Sequence, residues 1–132
     1  MLNPSTADEM KNDPTVERCE RRARANGFGA FCVVNIFAWR ATDPRELLQA
    51  QDPIGPENDL AILEKAYWAD QIIVAWGVYG EFRRRGATVL ELLMSEGHAL
   101  YHLGLTKAKH PRHPLYVAYT MQPVAWELVD RQ

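Results

Sequence analysis

The chain has 132 residues with a formal charge of -2, which suits a single domain spanning residues 1–132 that buries roughly two-thirds of its unfolded surface in one core. Hydrophobic residues at 47% and charged residues at 24% match an ordinary globular composition, and no low-complexity tract or internal repeat interrupts it. The acidic balance excludes a global attraction to nucleic acid, so any phosphate contact must come from a local basic patch. No run of about 18 apolar residues and no basic leader followed by an apolar stretch is present, so no membrane partner is expected and the cytoplasm is the default location.

In chain order, a polar loop, Met1-Leu-Asn-Pro-Ser-Thr-Ala-Asp8, precedes Asp13-Pro14, which reads as an N-cap with proline at the first helical position. Val16, Cys19 and Ala23 then share one face until Asn26-Gly27 turns the chain. Residues 29–37 form a nearly continuous apolar, β-branched run, which predicts a parallel strand covered on both faces. Asn35 is its polar end, before an irregular stretch at 39–44. Gly55-Pro56 opens a second helix, with Leu60, Leu63 and Tyr67 at helical spacing as far as Asp70. Residues 71–76 predict a second buried strand that Gly77 terminates. Phe82, Val89, Leu90 and Leu93 predict a third helix, weakened or broken near Gly86, and residues 98–105 carry a weaker strand pattern. Cys19 and Cys32 fall at apolar-face positions with no C-x-x-C spacing, which reads as two buried thiols.

Helices and strands alternating with short connections give an α/β fold, a three-layer sandwich with a short, mainly parallel central sheet. Right-handed crossovers collect the post-strand loops on the carboxyl edge of such a sheet, where ligands bind. Loops 3–8, 35–44, 77–80 and 106–114 are therefore expected to converge. Two basic patches stand out. Arg83-Arg84-Arg85 reads as a solvated helix face, whereas Lys107, Lys109 and Arg112 sit among prolines and histidines that give their loop a shape. In the middle segment, Asp43-Pro44 and Asp52-Pro53 favour turns.

The opening octapeptide, the stretch from Val33 through Asn35 to Pro44, Gly55-Pro-Glu-Asn-Asp59, Ala75-Trp-Gly77 and the Thr106 to Tyr116 loop together resemble an uncharacterised bacterial and phage family, domain of unknown function 1643 (DUF1643), over nearly the whole chain. The same residues carry a more distant resemblance to the uracil-DNA glycosylase superfamily. Asn3-Pro4-Ser5 is similar to its water-activating loop, Val33-Val34-Asn35 to the strand whose terminal asparagine reads the base, Val74-Ala-Trp-Gly77 to a Leu-Trp-Gly strand end, and His110-Pro-Arg-His-Pro-Leu115 to a His-Pro-Ser-Pro-Leu loop with one inserted residue. The resemblance implies a uracil-DNA-glycosylase-like fold. Only two residues precede Asn3-Pro4, too few for a strand of about five to six residues, so the start is expected to be truncated or misassigned, leaving a gap where a central strand should lie. Three features depart from the superfamily. Asparagine stands where its most active members have aspartate, the inserted residue changes which imidazole reaches a leaving base, and the stacking aromatic has only Phe37 or Trp39 as substitutes. A fold can be kept while its reaction is lost.

On this reading the candidate catalytic residues are Asn3, Asp8 and His110, and the candidate substrate-binding residues are Pro4, Ser5, Asn35, Phe37, Arg40, Lys107, Arg112 and His113. Asn35 offers one donor and one acceptor to a base edge, or caps its own strand end. His110 or His113 donates to a departing base, or both are surface groups that merely titrate. Asn3 orients a water and Asp8 acts as general base, or Thr6 or Asp8 caps a helical turn. Ser5, Thr6 and Arg112 hold phosphates. Arg40 faces the cleft or pairs with Asp43 or Glu46. His-x-x-His hints at zinc, but Pro111-Arg112 between the imidazoles extends the backbone and no third Cys or His lies near in sequence, so neither metal nor cofactor is expected. The expected partner is a nucleobase, nucleotide or nucleic acid, acted on as an N-glycosidic hydrolase would or bound without catalysis. A small-molecule hydrolase unrelated to nucleic acid is the third reading, favoured by the acidic charge. Oligomeric state is open.

Overall fold

In the computed structural model, which describes residues 1–2, 13–39 and 43–126, helix α1 (Pro14–Ala25) begins as its sequence dictates. The Asp13 carboxylate accepts the N–H groups of Thr15 at 2.7 Å and Val16 at 3.3 Å, satisfying donors that have no partner inside the helix. Its inner face differs from the expected apolar stripe, for Val16 is exposed and Cys19 half-buried. Two arginines tie the helix down instead. Buried Arg22 donates to the carbonyls of Ala118 and Met121, and Arg18 to those of Pro114 and Val117, and of these Pro114 O and Ala118 O also accept the backbone N–H groups of Val117 and Met121.

Helices α2 (Asn58–Trp68) and α3 (Arg85–Ser95) contribute Ile62, Ala66, Val89 and Leu93 to the core, where they meet Val74, Trp76, Leu100, Ile36, Phe37, Leu47 and Leu2. The expected break near Gly86 falls earlier. A 3-10 turn, Val78–Arg84, loses helical geometry at Phe82 and Arg83, and both Arg83 and Arg84 have φ of 54°. Gly86 lies inside the first turn of α3, pressed with Gly80 against the Trp76 indole. A Cβ on Gly80 would stand 2.1 Å from the indole Cδ1, and one on Gly86 2.7 Å from Nε1, closer than any side chain permits. The arginine triplet is not a uniformly solvated face, because Arg85 is 3% exposed and is spent on the core edge.

Among the described residues the sheet has three strands, β1 (Ile72–Ile73), β2 (Leu100–His102) and β3 (Val124–Ala125), in that spatial order. β1 runs parallel to β2 and β2 antiparallel to β3. The architecture is therefore α/β, but the sheet is small and mixed rather than mainly parallel. β3 comes from the segment after residue 116, whose return along β2 the sequence pattern had not indicated.

Residues 29–37 do not form the predicted strand. Only the end of the run is paired, to the first two residues of the chain. The Met1 amine donates to Val34 O at 2.8 Å, Ile36 N–H to Met1 O at 2.9 Å, and Phe37 N–H to Leu2 O at 2.8 Å. Upstream, Phe28, Phe31 and Cys32 are exposed, so Cys32 is not the buried thiol expected. A strand forms only where another backbone supplies its hydrogen bonds, and among the described residues none pairs with residues 29–33. Among the described residues, no helix is long and apolar enough to cross a membrane.

Candidate functional site

The carboxyl end of β1 continues through Val74-Ala75-Trp76 to Gly77, where φ of +76° turns the chain and the N–H donates to Pro111 O at 2.8 Å. That bond draws the 105–113 loop against the strand end. A side chain on Gly77 would meet the His113 Cβ at 3.4 Å, so the glycine serves both the turn and the close approach. The loop is a hairpin closed by the Leu105–Pro111 bridge. Thr106 N–H donates to His110 O at 2.8 Å, Lys109 N–H to Thr106 O at 2.9 Å, and His110 N–H to the Thr106 hydroxyl at 3.1 Å. Lys107, Lys109 and Arg112 remain exposed, and the Arg112 stem lies over Gly104.

The two loop histidines have different surroundings. His113 precedes a 3-10 turn, Pro114–Tyr116, and its Nδ1 accepts the Leu115 N–H at 3.3 Å, which leaves the proton of the neutral ring on Nε2. Burial, reinforced by the Met1 ammonium and opposed by Asp13, lowers its pKa to about 4. His113 is thus a neutral donor at ordinary pH. His110 turns elsewhere, with its Nε2 3.5 Å from the Glu81 carboxylate.

Asn35 lies between Val34 and Ile36, whose carbonyl and N–H bond Met1. Its backbone carbonyl accepts the Asn58 side-chain amide at 2.8 Å, while its own Oδ1 is buried with no hydrogen-bond partner among the described residues. The strand end is therefore capped by Asn58, and the Asn35 amide is not consumed in capping itself. The next carbonyl, Ile36 O, accepts Arg85 Nε at 2.7 Å, and the guanidinium also lies 2.6 Å from Asp59 in an ionic contact. Met1 completes the junction. Burial, opposed by Cys19, lowers the pKa of its amine to about 6.

Gly77 and His113 thus meet at the end of β1, Asn35 lies between the two residues that bond Met1, His110 faces Glu81, and Lys107 and Arg112 are exposed. Phe37 is fully buried against Phe82, ring centroids 5.9 Å apart, so it is core, and the exposed aromatic beside it is Trp39. Asn3, Pro4, Ser5, Thr6, Asp8 and Arg40 lie outside the described residues. Asp43, the partner weighed for Arg40, pairs with Arg45 at 2.7 Å. Sequence reasoning missed Asn58, Asp59 and Arg85, which hold the strand end in place. Their only signal was a pair of polar residues opening a helix straight after Gly-Pro, and an arginine concealed in a charge run.

A cavity of about 370 Å³ runs beneath this junction, between residues 28–36 and β1, with Met1, Asn35, Trp76 and Pro114 among its walls. Among the described residues, no three His, Cys, Asp or Glu side chains gather where they could hold a metal ion.

The profile of a family described as "Protein of unknown function (DUF1643)" matches residues 1–115. No curated protein and no solved structure matches the chain.

Proposed function

The chain belongs to the DUF1643 family, which names no activity, and we propose from the geometry that it binds a nucleobase, as free base, nucleotide or nucleic acid, at the carboxyl edge. The observation that carries this reading is the Asn35 Oδ1, a buried acceptor without a donor. An unmet buried acceptor costs about 1–3 kcal/mol, and a base N–H is a donor that would satisfy it. His113, neutral and with its proton on Nε2, supplies the complementary donor for a base carbonyl. An acceptor and a donor together match the amide edge of a pyrimidine. Lys107, Lys109 and Arg112 would meet phosphates without reading sequence. The residues assigned to water activation, Asn3 and Asp8, lie outside the described residues, so binding is the primary claim. N-glycosidic hydrolysis is the reaction such a site would perform if it is catalytic.

Thermal shift against free bases, nucleosides and short single-stranded oligonucleotides tests the reading, since a ligand that binds only the folded state raises the melting temperature with concentration. The expected result is a shift by pyrimidines that Asn35→Leu and His113→Gln each abolish. Asn35→Leu, which removes an unmet acceptor and no side-chain hydrogen bond among the described residues, leaves the unliganded melting temperature unlowered. Oligonucleotide affinity should fall with salt, with a shallower slope when Lys107, Lys109 and Arg112 are neutralised together. Incubation with uracil-, hypoxanthine- and mismatch-containing strands reports catalysis as abasic sites. No shift by any base, nucleoside or oligonucleotide would overturn the reading.

A further inference from the structure

The arginines of helix α1 divide by what neutralises them. Arg21 and Arg24 each pair with a glutamate four residues earlier, at 2.8 and 3.0 Å. Arg18 and Arg22 bond backbone carbonyls, Arg18 also lies over the Tyr119 ring, and among the described residues neither has a carboxylate partner. Carbonyls orient a guanidinium but carry only partial charge, so its unit charge stays uncompensated. For Arg22 this matters most, because it is 5% exposed. Burial lowers its pKa and the Arg18 charge lowers it further, against Cys19 and Tyr119. Its Nε is buried with no hydrogen-bond partner among the described residues.

Arg22 lines the cavity between residues 28–36 and β1. Two other charged residues do so, Lys65 and Asp70, and both are exposed, so Arg22 is the buried charge of that space. Asn35, whose Oδ1 is the other unmet polar atom there, belongs to the same lining. Ile62, Ala66 and Leu93 supply buried apolar wall. At about 370 Å³ the cavity stands near the lower end of small-molecule sites, which run from roughly 300 to 1,000 Å³. The complement of an unmet acceptor, an unmet cationic donor and an apolar surround is a compact molecule with an N–H, an anionic oxygen and an apolar body. In such a surround a pair with Arg22 is stronger than one in water and is little screened by salt.

We propose that the ligand of this cavity is a small anion, a pyrimidine carrying one carboxylate or phosphate, whose anionic oxygens are held by Arg22 while Asn35 accepts an N–H of the ring. The inference rests on the base-binding reading and narrows it to a single charged ring compound. The exposed cations Lys107, Lys109 and Arg112 are then not the groups that select the anion.

Calorimetric titration of the unsubstituted protein compares uracil with orotate, the carboxylate of the same ring, and uridine with uridine monophosphate. In at least one pair the anionic member binds about tenfold more tightly or better, as a charge-assisted hydrogen bond out of water requires. Neutralising Lys107, Lys109 and Arg112 together leaves that ratio standing, and Arg22→Gln brings it close to one. Because Arg22→Gln also gives up two carbonyl bonds, the second measurement needs no variant: the Arg22 Nε–H resonance moves downfield as the tighter anion is added. Equal affinities within both pairs would overturn the proposal and leave the base-binding reading standing. So would a preference that vanishes with the three loop charges while the Nε–H resonance stays in place. Benzoate moving that resonance while no pyrimidine binds would instead remove the base-binding reading and uphold the anion site at Arg22.

Discussion

Residues 35–37 and residues 29–33 belong to one apolar run yet live in opposite conditions. Asn35 O is held by Asn58, Ile36 O by Arg85, and the N–H groups of Ile36 and Phe37 by the first two residues. Phe37 is fully buried, whereas Phe31 is 38% exposed. The difference is in partners rather than composition. A β-branched, aromatic stretch has the capacity to be a strand, and a neighbouring backbone converts that capacity into structure.

Phe37→Ala is expected to have the largest effect, removing a ring packed on Phe82 and leaving a cavity in the core. The loss is about 3–5 kcal/mol, read as a lower urea midpoint at unchanged slope. Asp59→Ala comes next. It leaves the buried Arg85 guanidinium with a carbonyl as its remaining partner, at a cost of about 2–3 kcal/mol, somewhat under that of breaking a fully buried pair because Asp59 is half in solvent. Faster amide exchange at Phe37 should accompany it if Arg85 fixes the strand end.

The two sets of residues were not equally legible in the sequence. Asp13-Pro14 announces α1 because capping is local chemistry, and the helical spacing of Leu63 and Val89 places α2 and α3 for the same reason. The 29–37 run misleads because burial on both faces and exposure beside an open cavity look alike in a string of apolar letters. Cys32 was misplaced with it. Arg85 was misread because charge runs are solvated unless something distant, here Ile36 O and Asp59, draws one member inward. Of the candidate site, Asn35 and His113 were visible as chemistry. The difference between His113, close to Gly77, and His110, facing Glu81, depends on contacts more than 25 residues away in sequence.

Acid should weaken the bonded end in two separable steps. The pKa of His113 is lowered from 6.5 to about 4 and that of the Met1 amine from 8.0 to about 6, each chiefly by burial. In both cases the folded state binds fewer protons than the unfolded state between the two values, so unfolding free energy rises with pH across each window. One limb spans about pH 4 to 6.5 and the other about pH 6 to 8. Each contributes about 1–2 kcal/mol, discounted because the two charges also disfavour one another. Asp13, which faces His113, and Cys19, which faces the amine, oppose the shifts without reversing them. Urea titrations across this range should lose the lower limb in His113→Gln and the upper limb after acetylation of the Met1 amine.

Phe31→Ser should have the smallest effect, within about 0.5 kcal/mol, because the ring is already partly in water and its backbone has no ladder to lose. The same class of side chain six residues downstream costs several kcal/mol, so the pair isolates pairing from propensity within a single run. A Phe31→Ser loss approaching that of Phe37→Ala would mean that residues 29–33 are packed in solution, and the contrast between the two ends of the run would collapse.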